Sequence, residues 1–403
     1  MSRSKRPNSS VAPSAKSSAT APHPRRARPI LFRLAALLLG CLVIVVIVEV
    51  SLRIAGYEPT TNLKTQILLS VDNPRLKYHC FPENPHGEFE PLPDVSEGSW
   101  QLLDANGKPL PMERLEQTPW CVEYRRSSID LRERELSGHR AAAGQTRIAC
   151  VGDSFTFGQG VPLEQTLPRQ LERQLGSDYQ VVNIANTGWD FEEEIRQLEK
   201  FRSQQQCSRA LFVFLINDLQ RSREMIEREQ ELFELIADRE KTIAGYQSGL
   251  WVLGPSKICQ WIHSKIYDQR IGRQTERWYR DCFDRGKNSV GLDRFQQGLR
   301  RLASLKTNRE KCQVAMVIYP ILRDLEGEYP FAAEHKLVAE LATEAGIPVL
   351  DLWPTFAGET SSSLWVDPSD QHPNGQAHAK AAAAIAKWLE TELPEFLEPE
   401  SQN

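Results

Sequence analysis

The sequence predicts an α/β domain in which a parallel sheet carries helices on both faces, and two observations lead there. Five short apolar runs of strand length recur between residues 147 and 352, and helical segments separate them. A third observation, one unbroken apolar run near the N-terminus, places a membrane-crossing segment ahead of that domain. With 403 residues, 40% hydrophobic and 25% charged, the chain is long enough to bury a sizeable core, which excludes wholesale disorder.

In chain order, the first element is a basic tail. No acidic residue precedes Glu49, while Arg3, Lys5, Arg6, Lys16, Arg25, Arg26, Arg28 and Arg33 are positive, so the net charge of -4 is the sum of a cationic leader and a more strongly acidic body. An acidic body repels polyanions, and no nucleic-acid partner is expected. Residues 1–29 read as a disordered cytoplasmic tail. Leu34 to Val48 (LAALLLGCLVIVVIV) is continuously apolar. Extended to residues 30–52 it reaches about 34 Å at about 1.5 Å per residue, enough to span a bilayer. A cleavable signal peptide is the alternative, but Glu49, Arg53 and Ile54 crowd the place where its small-residue cleavage site belongs. The expectation is a single-pass anchor with its N-terminus in the cytoplasm and the body on the periplasmic or extracellular side.

Residues 53–143 are rich in Pro, Asn and Gly and predict an irregular juxtamembrane lead-in with a few short strands. Strands are then expected at Arg147–Val151, Gln180–Ile184, Ala210–Leu215, Val314–Tyr319 and Ile347–Leu352, with helices at Leu163–Leu175 and Phe191–Phe201. The charged stretch from about 220 to 311 is too long for a crossover loop and has a helical pattern. It is read as an inserted helical subdomain, either overhanging the substrate site or forming a solvated layer, with Trp251, Trp261 and Trp278 as its core. An Ala-rich helix, Gln376–Leu393, closes a domain spanning 144–393, and 394–403 are a tail.

The chemistry sits at strand ends, where open parallel sheets form their ligand crevice. The first strand runs into Gly152-Asp153-Ser154-Phe155-Thr156-Phe157-Gly158, which places Ser154 as a candidate nucleophile. Thr156 stands where the GxSxG elbow has its second glycine, so that motif is absent. Asp153 is expected to shape the turn by local hydrogen bonds. After the second strand, Asn186-Thr187-Gly188 offers a glycine N–H to an oxyanion, and after the third, Asn217-Asp218 offers a side-chain amide. Asp367-Pro-Ser-Asp370-Gln-His372-Pro-Asn374 supplies a histidine with two nearby carboxylates, the combination that serine activation needs. His378 reads as a packing residue, and Trp189 either lines a pocket or fills the core edge.

With these blocks in place, the chain resembles the SGNH (GDSL-type) hydrolases over roughly residues 145–393, apart from the insertion, with VGDSFTFGQG and DQHPNGQAH as the specific motifs. With its N-terminal anchor it looks like a membrane-tethered, exported bacterial member. The resemblance implies a flavodoxin-like α/β/α sandwich of strand order 2-1-3-4-5, with the insertion between strands 3 and 4. It also implies Ser154 as nucleophile, His372 as base, and Ser154, Gly188 and Asn217 as oxyanion hole. Two departures stand out: Leu215 occupies a position the family usually gives to glycine, and Ser369 occupies the usual aspartate position. Asp370 is therefore expected to orient His372, with Asp367 in reserve.

Of the eight cysteines, Cys41 lies in the apolar run and Cys150 in a core strand. The implied sheet suggests Cys207–Cys312 as a disulfide, and Cys259–Cys282 and Cys80–Cys121 complete a set that sequence alone leaves open. No metal or cofactor is expected: no CxxC pair, GxxxxGK[ST] or strand-linked GxGxxG occurs. The expected function is an exported esterase removing acyl groups, such as acetyl, from a cell-envelope or extracellular carbohydrate or lipid. An O-acyltransferase using the same acyl-serine and a catalytically inactive binding module are the alternatives.

Overall fold

The computed structural model describes residues 27–59, 65–81, 90–91, 98–103, 108–110, 120–136, 138–247, 256–307, 311–368 and 370–398. The chain divides into two units, Met1–Tyr57 with Ser256–Ile258, and the remainder.

In the first unit, α1 (Ala27–Ile54) contains a 24-residue stretch, Leu31–Ile54, whose most apolar 18 residues have a mean hydropathy of 2.9. It is long and apolar enough to cross a membrane, and its leucines, isoleucines and valines from Leu31 to Ile54, half-buried Leu52 apart, are solvent-exposed.

In the second unit, the residues after 58 form a sheet where mainly irregular chain was expected. Strands β1 (Gln66–Ser70), β2 (Leu76–Phe81), β3 (Glu90–Pro91), β4 (Trp100–Leu103), β5 (Pro109–Leu110) and β6 (Trp120–Arg125) pair antiparallel in the order β3-β6-β2-β1-β4-β5. Alternation explains it: Lys77, His79 and Phe81 share one face with Trp120, Val122 and Tyr124, while Cys80 and Cys121 lie on the other with Leu68 and Leu102. Cys80 and Cys121 are directly opposed and disulfide-bonded. The bridge closes a loop of sequence separation 41. Replacing both cysteines by serine is expected to lower stability by about 2–4 kcal/mol, read by denaturant unfolding.

The main sheet contains β7 (Thr146–Gly152), β8 (Tyr179–Ala185), β9 (Arg209–Phe214), β10 (Gln313–Ile318) and β11 (Val349–Asp351), all parallel, in the order β11-β10-β9-β7-β8. Read from the other edge this is the expected 2-1-3-4-5. Each expected strand is present. The interior ones, β10, β9 and β7, are covered on both faces and so read as unbroken apolar runs; every residue of β7 and β9 is buried. The helices α3 (Leu167–Leu175) and α4 (Phe191–Gln204) belong to separate layers on the sheet, as the usual right-handed crossover of parallel strands requires when the chain steps from β7 out to β8 and back to β9. The insertion between β9 and β10 is helical: α5 (Arg223–Gln247), α6 (Lys257–Cys282) and α7 (Arg285–Ser304). Beyond β10, α8 (Ala332–Glu344) joins the layer of α4 and α7, the short α9 (Trp353–Phe356) follows β11, and α10 (Gly375–Thr391) packs on α3.

Two disulfide expectations fail on geometry. The register pairs Gln313 with Arg209, so Ser208 lies opposite Cys312 and Cys207 is one residue out of step, with its thiol donating to the Arg147 and Arg209 carbonyls. Cys259 and Cys282 lie at opposite ends of α6, about 35 Å apart along its axis. All four remain thiols. Within the insertion, Trp278 is buried and donates to the Met225 carbonyl as core. Trp261 is instead 41% exposed, and Trp251 lies outside the described residues.

Candidate active site

Gly152 ends β7 and Ser154 opens α2 (Ser154–Phe157). Only glycine fits before that turn: a Cβ on Gly152 would lie 2.3 Å from Thr156 Oγ1 and 2.8 Å from the Val213 carbonyl. Asp153 caps α2, accepting the Phe155 N–H at 2.9 Å. The chain then leaves through Gly158 in left-handed conformation. This abrupt strand-to-helix turn holds Ser154 Oγ at the carboxyl edge of the sheet with only 8% of the residue exposed.

The second component is a hairpin of β12 (Trp365–Asp367) and β13 (Asp370–Pro373), placed before α10. Asp370 and His372 are two residues apart on β13, so their side chains leave the same face of the strand. His372 Nδ1 is hydrogen-bonded to Asp370 Oδ1, which also accepts the His372 N–H at 3.1 Å. The opposite ring nitrogen, Nε2, lies 2.9 Å from Ser154 Oγ. Strand geometry thus supplies at a spacing of two the partner that the family usually supplies at three. Asp367 is bridged across the hairpin to Asp370 and is buried, while Ser369 lies outside the described residues.

Burial acts to raise the Asp370 carboxyl, but the charge and hydrogen bonds of His372, with His79 nearby, hold it well below the ordinary carboxylate range. For His372 the balance runs the other way. Burial lowers it, and the charge and hydrogen bond of Asp370, aided by Asp153, raise it above its ordinary value. His378 is different: wholly buried, with neither ring nitrogen hydrogen-bonded among the described residues, it is pushed down to about 3 by burial and by the charges of Arg132 and His372. It stays neutral at any working pH.

The remaining expected residues surround this pair unequally. Asn217 follows β9 and donates through Nδ2 to Asp153 Oδ2 at 3.1 Å, the same oxygen that lies 3.2 Å from Ser154 Oγ. Asp153 therefore does more than shape its own turn, since it ties Asn217 to the serine. Gly188, in the β8–α4 loop, is exposed, with φ +78 and open space where a Cβ would stand. Neighbouring Trp189 is half-buried. Leu215 has φ -110 and ψ 149, ordinary extended backbone that does not require glycine, and its side chain is buried in the core. Asp218 accepts the Leu215 N–H at 2.6 Å and so holds the loop that presents Asn217.

Sequence reasoning missed several groups. Glu194 and Asp218 are fully buried: burial, then the charge of Asp153, pushes the Glu194 carboxyl far up, and burial, then the charges of Glu194 and Asp153, does the same to Asp218. His79, Tyr124 and Arg132, from the N-terminal segment, also converge on the site; the alternation in LKYHCF and WCVEYR is the one signal for His79 and Tyr124, and Arg132, beyond both strands, has none. A separate cleft of about 410 Å³, lined by Glu133, Arg134, Arg169, Glu172 and Tyr179 among others, borders the amino ends of β7 and β8, away from Ser154.

A model of the GDSL-like lipase/acylhydrolase family matches residues 150–380. No curated protein matches the chain. Among solved structures, a carbohydrate acetylesterase from Sinorhizobium meliloti is similar at 12% identity and TM-score 0.34, covering 61% of this chain and 99% of that one. A psychrotrophic esterase from Pseudoalteromonas sp. is similar at 15% identity and TM-score 0.35, covering 61% of this chain and 100% of that one. The family match spans more than half of the sequence and contains both the Ser154 turn and the Asp370–His372 hairpin, and by it this chain belongs to the GDSL-like lipase/acylhydrolase family of serine hydrolases.

Proposed function

We propose that the chain is an exported, membrane-anchored esterase that cleaves short acyl esters, such as acetyl, of a cell-envelope or extracellular carbohydrate or lipid. The observation that carries the reading is the continuous contact Ser154 Oγ, His372 Nε2, His372 Nδ1, Asp370 Oδ1 at the carboxyl edge of the sheet. In this reading His372 takes the Ser154 proton as Oγ attacks the ester carbonyl, and Asp370 holds the imidazole in the tautomer with its proton on Nδ1. The backbone N–H groups of Ser154 and Gly188 and the second Nδ2 hydrogen of Asn217 receive the developing oxyanion. His372 then returns its proton to the leaving alkoxide, and water repeats the sequence on the acyl-serine.

A short acyl group is favoured because the ground beneath the serine is already filled. Phe155 and Tyr319 are buried there, with Phe155 packed edge-on against both His372 and Tyr319. Export is supported by the apolar α1 behind its basic leader and by the Cys80–Cys121 bridge, which belongs to an oxidising compartment. The proposed domain limits are 1–29 for the tail, 30–52 for the anchor, 53–143 for the segment bearing the N-terminal sheet, 144–393 for the hydrolase and 394–403 for the C-terminal tail.

The test is hydrolysis of nitrophenyl acetate, butyrate and octanoate by the full-length protein in detergent, with and without a sugar acceptor. Acetate is expected to be the best of the three. Acetyl appearing on the acceptor faster than in water would move the reading to an O-acyltransferase. A second expectation concerns pH. Because neutral His372 is the base and its pKa is raised, kcat/KM should be lost as pH falls through a midpoint above 6.5. A profile flat from pH 5 to 9 contradicts the role of His372.

A further inference from the structure

The Ser154 turn and the Asp370–His372 hairpin are more than two hundred residues apart in sequence, and both rest on the same face of the N-terminal sheet. Phe81, Val122 and Tyr124 of that face form one apolar cluster with Phe157 and Val161 of the serine turn and Val366 of the hairpin. Turn and hairpin are also in tight contact with each other, since a Cβ on Gly160 would lie 2.6 Å from Val366.

Polar contacts run along the same seam. Tyr124 Oη accepts the Gly160 N–H and lies 3.1 Å from His79 Nδ1. With the phenol proton given to Nδ1, neutral His79 carries its own proton on Nε2; burial pushes its titration down to about 4, with the charge of Asp370 opposing the fall and that of His372 adding to it. Arg132, 2% exposed, lies over the Tyr124 ring at 4.2 Å. Its guanidinium donates to the carbonyls of Phe157 (2.8 Å), Gly158 and Val161. No carboxylate pairs with it among the described residues. A buried cation spent on carbonyls, at the end where α2 terminates, fixes the chain that follows the serine.

We propose that the N-terminal sheet completes the active site, with Tyr124 as a positioning residue: through the Gly160 N–H and His79 it holds Ser154 and the Asp370–His372 pair at reacting distance. The sheet is thus a part of the catalytic unit and not a spacer from the membrane. This rests on the acyl-serine reading of Ser154.

The experiment uses full-length protein in detergent. Sites are first counted by complete labelling with a fluorophosphonate, and kcat and KM for nitrophenyl acetate are then expressed per labelled site. Tyr124→Phe keeps the ring against Arg132 and Phe157 and removes only the hydroxyl. The expected result is a fall in kcat of about tenfold per site with KM changed less than twofold, a split that simple loss of folded protein does not give. A fall of fivefold or more supports the proposal, and a smaller one overturns it. If Tyr124→Phe melts more than ten degrees below the wild type, His79→Asn decides by the same thresholds. Wild-type protein that neither labels at Ser154 nor turns over sinks the acyl-serine reading itself, whereas an active wild type matched by an equally active Tyr124→Phe sinks only the role of the sheet.

Discussion

Ser154→Ala is expected to lower kcat/KM for nitrophenyl acetate by at least about 10⁴-fold while leaving the fold unchanged, because the attacking atom is removed and nothing beside it replaces it. The other hydroxyl on the same short helix, Thr156, is fully buried and crowds Gly152, so it has no access to an ester. The substitution removes one oxygen at a site where the Asp153 cap, the Phe155 N–H bond and the α2 backbone persist, so melting should move little. Steady-state rates beside thermal unfolding check both halves. Retention of more than about one per cent of the activity would assign the chemistry elsewhere.

The second large effect is expected from Asp370→Asn. Losing the carboxylate removes the acceptor that fixes the His372 tautomer, and an amide can present a donor to Nδ1 and turn the wrong nitrogen toward Ser154. A loss of about 10³–10⁴-fold in kcat is expected. The pH profile carries an independent sign. Asp370 is what raises His372 against its burial, so without it burial prevails and the residual acid limb moves to lower pH. Asp367→Asn is the control: Asp367 faces Asp370 across the hairpin without holding the histidine, and less than about tenfold loss is expected. Equal losses from the two substitutions would show that the hairpin, and not the Asp370 contact, is what matters.

The division between what the residues reveal and what they conceal follows from the range of the interactions. Interior parallel strands such as TRIACVG and RALFVF are buried on both sides, so their composition alone marks them, and each expected strand lies within two residues of its observed limits. The Ser154 and His372 motifs are equally local, since a turn and a hairpin each place their side chains within a few residues. The N-terminal segment shows only a few short strands in sequence, and their pairing into a sheet is hidden, because they run from two to six residues and several are half-exposed, leaving alternation too short to read against its Pro-rich surroundings. Register is also invisible in one chain. It is register that joins Cys80 to Cys121 and puts Cys207 out of step with Cys312. The contribution of Tyr124, His79 and Arg132 depends on three segments meeting, and only packing reveals it.

Leu215 shows how a departure from a family pattern is absorbed. Glycine is needed where φ is positive or another backbone comes close, and here neither holds: the residue is extended, and its side chain joins the core beside β9. Asp218 then fastens the loop by its bond to the Leu215 N–H, which keeps Asn217 directed at Asp153.

The most direct test of the account is to trap the acyl-enzyme. Full-length protein is mixed with nitrophenyl acetate, quenched in acid within the first turnover, digested and mapped by mass spectrometry. The account predicts acetyl on the peptide carrying Ser154, absent from Ser154→Ala and formed far more slowly in His372→Ala. Turnover at the full rate with no acetyl on Ser154, or acetyl on another residue in both wild type and Ser154→Ala, contradicts it.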